Sequence, residues 1–193
     1  MKFFSLAAIL LSFSTVAASA NALHLNPQQP GSEANMQTFG KTSIPIGYIG
    51  YCTRYQERCS VREQPKKVKL TRKAWQKLTS VNWEVNSKIE PVTDMDNFGI
   101  EELWTYPMSK GDCEDYALLK RKTLQEQGFP LSSLLVTVVY DANGGGHAVL
   151  TVVTDKGDFI LDNQEAKVLR WQDAELTYLK RQAADNPNVW EKL

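Results

Sequence analysis

Apolar residues recur at spacings of three and four from Leu70 through Ala74, Leu78, Val81, Val85 and Ile89. That period predicts an amphipathic helix from Thr71 to about Ile89, ended by Pro91, with Trp75 and Trp83 packing beside its apolar face. A second helix is expected from Cys113 to Gln127, with Asp112 as N-cap, Gly128 and Pro130 as stop, and Tyr116, Leu118, Leu119 and Leu124 buried. Beyond Pro130 the period changes. LLVTVVY (Leu134–Tyr140), HAVLTVV (His147–Val153) and FILDN (Phe159–Asn163) read as strands of an antiparallel meander, joined by the turns DANGGG and TDKGD. Three segments lack such a period or carry it weakly. Leu23–Gly50 reads as an extended arm, Asp94–Asp112 as a long loop with a helical turn at Ile100–Leu103, and the stretch from Trp171 to Leu193 as a helical segment followed by a loosely packed tail. Helices before a sheet, without repeats, predict an α+β fold.

The first residues change the picture of location. Lys2, an apolar run from Phe3 to about Val16, and the small residues Ala18-Ser19-Ala20 or Ala20-Asn21-Ala22 form the pattern of a secretory signal peptide. Residues 1–22 are therefore expected to be removed, leaving 23–193 as one domain that is periplasmic or secreted. No later apolar run approaches the ~20 residues of a spanning helix. Twenty-two basic residues balance 22 acidic ones, so no overall field favours nucleic acid. The basic stretch Arg62–Lys73 has no interleaved aromatic residue and reads as a solvated lead into the helix. In an oxidising compartment Cys52 and Cys59, which bracket the short loop CTRYQERC, are the natural disulfide pair. Cys113 is left over.

That third cysteine stands at a helix start, where the dipole favours a thiolate. His147 begins a strand after a glycine-rich turn, and Asp162 ends the neighbouring strand. Nucleophile, base and orienting carboxylate are the three parts that thiol catalysis needs. Each also has a plainer reading: a small buried thiol, a turn histidine, a strand terminator.

GDCEDYALLKR, GHAVLTVVTDKGDFILDN, WTYP and PIGYIGYC, spread from Pro45 to Trp171, resemble the bacterial transglutaminase-like cysteine peptidases, a group that includes LapG-type periplasmic proteases. The resemblance implies a papain-like, transglutaminase-type fold with the nucleophile helix packed on an antiparallel sheet. It implies Cys113 as nucleophile, His147 as general base and acid, and Asp162 as the orienting carboxylate of a hydrolase working through a thioester. It also implies calcium at Asp112 and Glu114, with Asp115 a neighbour; helix electrostatics is the other reading of these acids. No organic cofactor is expected. Trp104, in the loop before the nucleophile, is a candidate to join the Cys113 N–H in an oxyanion hole, with packing as its alternative. The partners implied are a protein or peptide substrate, such as a surface adhesin, and a cyclic-dinucleotide-responsive membrane receptor. Two other functions use the same residues: acyl transfer to an amine, and protein binding without catalysis.

Overall fold

The computed structural model describes residues 34–60 and 64–193. The expected signal peptide and the first residues of the Arg62–Lys73 stretch lie outside the described residues. In chain order the elements are β1 (Lys41–Thr42), α1 (Ile46–Arg54), α2 (Gln56–Cys59), α3 (Arg72–Lys88), β2 (Glu90–Pro91), α4 (Asp94–Phe98), β3 (Lys110–Gly111) and α5 (Cys113–Glu126). There follow β4 (Leu134–Tyr140), β5 (Gly146–Thr154), β6 (Gly157–Leu161), β7 (Leu169–Arg170), β8 (Thr177–Gln182) and β9 (Trp190–Lys192).

β4, β5 and β6 form the expected meander, inside a larger antiparallel sheet of order β1-β9-β8-β4-β5-β6-β7. Alternation along the strands gives the sheet two covered faces. Leu134, Val136, Leu150, Val152, Phe159 and Leu161 join α3 and α5 in the main core, while Val139, Val149 and Ile160 pack with Met36, Trp171 and Tyr178 on the other face. Thr71 caps α3 by accepting from the Ala74 N–H at 3.1 Å. Gly128, at φ 91°, supplies the left-handed residue that ends α5.

Five expectations are corrected. Within the supposed arm Leu23–Gly50, Ile46–Arg54 is helical: Gly47 and Gly50 weaken its intrinsic preference, but Tyr48 and Tyr51 are buried and hold it to the core. CTRYQERC is accordingly not a loop, since Cys52 ends in α1 and Cys59 in α2; the two are bonded, with a Cα–Cα distance of 5.6 Å. The helical turn of the Asp94–Asp112 segment falls at Asp94–Phe98, where Thr93 caps the Asp96 N–H, and not at Ile100–Leu103. Beyond a single 3-10 turn at Trp171–Asp173 the C-terminal segment is not helical but supplies β8 and β9, because each side finds a strand to pair with, and Trp190 is fully buried rather than part of a loose tail. Trp75 does pack, edge-on to Phe159, whereas Trp83 is 64% exposed. Among the described residues no helix is long and apolar enough to cross a membrane.

Candidate active site

α5 is the element that presents the thiol. Cys113 is its first residue, half-buried, and the free cysteine among the described residues. Gly111 lets the chain enter this helix tightly: a Cβ there would sit 2.7 Å from Asp115 Oδ2. Asp112 occupies the cap position but its side chain does not cap α5; Oδ2 accepts from the Asp94 N–H at 3.2 Å instead. The expected N-cap role is thus corrected, and the first-turn N–H groups of α5 keep no side-chain acceptor from it.

α5 packs on β5. The Ala148 N–H of that strand donates toward the Cys113 sulfur, which brings the thiol beside the backbone next to His147. His147 Nε2 lies 2.8 Å from Asp162 Oδ1, and the side chains are only 2% and 9% exposed. Asp162 follows directly on β6 and is held from two sides. The Gln164 N–H donates to its Oδ1 at 2.9 Å, and Asn86 of α3 donates to its carbonyl at 2.8 Å. With Nε2 engaged by the carboxylate, Nδ1 is the nitrogen left to exchange a proton. The cysteine S–H donates to Glu114 Oε2 at 3.1 Å. Burial first, and the Glu114 carboxylate second, push the thiol well above its ordinary range, with the Ala148 N–H opposing them. The helix dipole alone does not make this thiol a thiolate.

Beside the thiol stands an acidic group. Oxygens of Asp94, Asp112 and Glu114 lie within 4.8 Å of one another, and Asp94 and Glu114 are buried. None of the three is in an ion pair among the described residues. Asp94 Oδ2 accepts from the Leu103 N–H, but Asp94 Oδ1 and Asp112 Oδ1 are buried without a partner. Burial and mutual repulsion raise Asp112 to about 6 and Glu114 to about 8. Three crowded hard oxygens with orphaned lone pairs suit an oxygen-seeking divalent cation.

Of the expected site residues, the structure brings Asp112 and Glu114 together with Asp94, which sequence reasoning missed. Asp94 is 18 residues from Asp112, and TDMD looks locally like helix capping, so nothing in the sequence marked it as a ligand. Asp115 is set apart: Oδ1 accepts from the Thr105 N–H at 2.7 Å, and burial raises its carboxyl to about 8. Trp104, the candidate oxyanion donor, is buried and packed in the loop before the nucleophile. Its indole N–H goes to Glu102 Oε2 at 2.9 Å, and its rings sit edge-on to Tyr48 and Trp190.

A helix-borne thiol against an antiparallel sheet carrying a His–Asp pair defines the transglutaminase-like class of thiol-hydrolase folds. Residues 38–193 match the sequence profile of the bacterial transglutaminase-like cysteine proteinases, BTLCP, and the chain belongs to that family. Among solved structures, Legionella pneumophila LapG is similar at 28% identity, with a TM-score of 0.51 over 60% of this chain and 67% of that one. Calcium-bound LapG of the same organism is 22% identical, with a TM-score of 0.53 over 77% and 81%. EGTA-treated LapG is 28% identical with a TM-score of 0.48; the match spans 55% of this chain and 61% of that one, less than two thirds of its length. Comparison with curated protein sequences gave no match.

Proposed function

We propose that this chain is an exported cysteine endopeptidase in which Cys113, His147 and Asp162 form the catalytic triad. The observation that carries the reading is the 2.8 Å His147–Asp162 bond beside a helix-start thiol that rests against the Ala148 N–H. His147 Nδ1 takes the Cys113 proton as sulfur attacks the scissile carbonyl carbon. The oxyanion that forms is held by first-turn N–H groups of α5, beginning with that of Cys113. The C–N bond then breaks, and the imidazolium returns the proton to the leaving amine. A water deprotonated by the same imidazole attacks the thioester, releasing a carboxylate and restoring the thiol. Asp162 keeps the ring oriented and favours its charged form throughout.

Asp94, Asp112 and Glu114 would hold calcium, the ion present in the similar LapG structure. When bound it supplies positive charge beside Cys113, favouring thiolate. The substrate is an exported protein; a surface adhesin, and a membrane receptor as regulator, are the classes that the family resemblance implies.

The test is incubation of the chain lacking residues 1–22, or its Cys113→Ala variant, with an exported-protein fraction, followed by mapping of new N-termini. New termini are expected with Cys113 and absent with Ala. Equal cleavage by both would overturn the reading. Cleavage in heavy-oxygen water labels the new carboxylate, whereas transfer to an amine leaves an amide.

A further inference from the structure

The basic stretch before α3 does more than lead into the helix. Lys67 and Lys69 from that stretch, with Lys73 and Lys77 from the first turns of α3, line a groove of about 390 Å³ whose other wall is the turn 127–130. Lys67, Lys69 and Lys73 are exposed, and none of the four is in an ion pair among the described residues. The side-chain hydrogen bonds they make go to neutral groups: Lys67 Nζ donates to Asn35 Oδ1 at 2.6 Å, and Lys77 Nζ to the Gln127 carbonyl at 2.7 Å. One carboxylate, Asp155, meets this segment, and its Oδ1 accepts from the Leu70 N–H at 2.9 Å. The whole chain balances 22 basic against 22 acidic residues, so the excess here is local.

A run of lysines along one helix face is ordinarily just solvated. Two features set this group apart. The lysines come from two segments around a concavity, and its floor is apolar, since Val68 and Phe129 are buried and line it. The walls are also fixed. Val68 donates to the Val153 carbonyl and accepts from the Asp155 N–H, both at 3.0 Å, and Lys77 lies 5.8 Å over the Phe129 ring. Cations around an apolar floor fit an extended acidic polypeptide that also carries apolar side chains. A flat bilayer surface does not reach such a floor, and a small free anion leaves it uncovered.

We propose that this groove is an exosite, docking an acidic segment of the protein substrate away from the bond that is cut. This rests on the peptidase reading above. α5 rises about 1.5 Å per residue, so the groove beyond its end lies about 20 Å from Cys113 at its start. An extended chain covers about 3.3 Å per residue, which puts the docked segment no fewer than about six residues from the scissile bond. At that distance the lysines act on capture of the substrate and not on the chemical step.

The probe is a fluorescein-labelled peptide repeating Glu-Glu-Leu, followed by anisotropy with the Cys113→Ala chain. It should bind, a Lys-Lys-Leu repeat should not, and about 1 M salt, with a Debye length of about 3 Å, should weaken it. Lys67→Gln, Lys69→Gln and Lys73→Gln combined should weaken binding roughly tenfold, as three exposed ion pairs of ordinary strength would. All three side chains are exposed, so the fold should survive; Lys77 is kept because it closes the wall against Gln127. On a cleaved exported protein, the same three changes in the Cys113 enzyme should raise KM by a similar factor and leave kcat unchanged. The proposal is overturned by no binding, by equal binding to the triple variant, or by an unmoved KM. Preference for phosphatidylglycerol vesicles or a thymidine oligonucleotide over the peptide overturns it as well. The binding arms need no turnover, so cleavage by Cys113→Ala would sink the triad reading without touching the groove.

Discussion

Protons and calcium should compete for Asp112 and Glu114, and the competition is measurable as stability. A carboxyl raised in the folded state stabilises the fold while it holds its proton. That contribution drains away as pH climbs from the ordinary value toward the raised one. For Glu114 the window runs from 4.5 to about 8, and for Asp112 from 3.8 to about 6. Between pH 5 and 7 an unfolded Glu is ionised while folded Glu114 still holds its proton, a slope of about 1.4 kcal/mol per pH unit. Over two units that is about 3 kcal/mol from Glu114 alone. Calcium must displace that proton, so its stabilising increment should be larger at pH 7 than at pH 5 by a similar amount. At about 2–4 °C per kcal/mol for a domain of this size, the difference is roughly 6–12 °C in Tm. Lys120, depressed to about 7, adds stability that rises only above that pH, so the window is clear of it. Differential scanning calorimetry at both pH values, with calcium and with chelator, reads the quantity directly. Asp94→Asn, which keeps shape and removes one charge, should shrink the increment. A calcium increment equal at the two pH values, absent, or undiminished in Asp94→Asn would refute the reasoning.

Asp162→Asn should lower kcat by roughly 10²–10⁴-fold while leaving the fold intact, measured by stopped cleavage assays once a substrate is in hand. The oxidised protein should take up one equivalent of alkylating reagent, at Cys113, and replacing both Cys52 and Cys59 by Ser should cost about 2–3 kcal/mol in denaturant melts, since the bridge spans a sequence separation of 7. Trp190→Ala should cost about 3–5 kcal/mol in the same melts, because the ring is fully buried against Tyr48 and Trp104.

The parts of this fold legible in the sequence are those whose burial writes a local pattern. The α3 stripe from Leu70 to Ile89 declares itself because burial of one face dictates the period, and β4 does so because cover on both faces leaves a continuous β-branched run. α1 was hidden by Gly47 and Gly50: its helix is held by two buried tyrosines that no local propensity reports. β8 was hidden by TYLKRQ, whose long polar residues suit a helix as readily as a strand; pairing with β4 and β9 decides. The site divides the same way. Cys113, His147 and Asp162 each sit at an element end that sequence marks, but Asp94 enters through a contact across a loop, and proximity of that kind leaves no local pattern.

The short parallel pair of β2 and β3 has a consequence for how the protein fails. Its bonds, Glu90 N–H to Ser109 O at 2.8 Å and Val92 N–H to Gly111 O at 3.0 Å, close the segment that carries Asp94 on one side and delivers Asp112 and Glu114 on the other. The large sheet does not depend on this latch. Springing it would carry Asp94 away from its two partners and loosen the entry to α5 while β4 and β5 stayed paired. Such partial openings need far less free energy than global unfolding. Amide exchange at Glu90 and Val92 should therefore run well ahead of exchange in β4, and inactivation can come and go as a reversible local event in a protein that every global probe reports as folded.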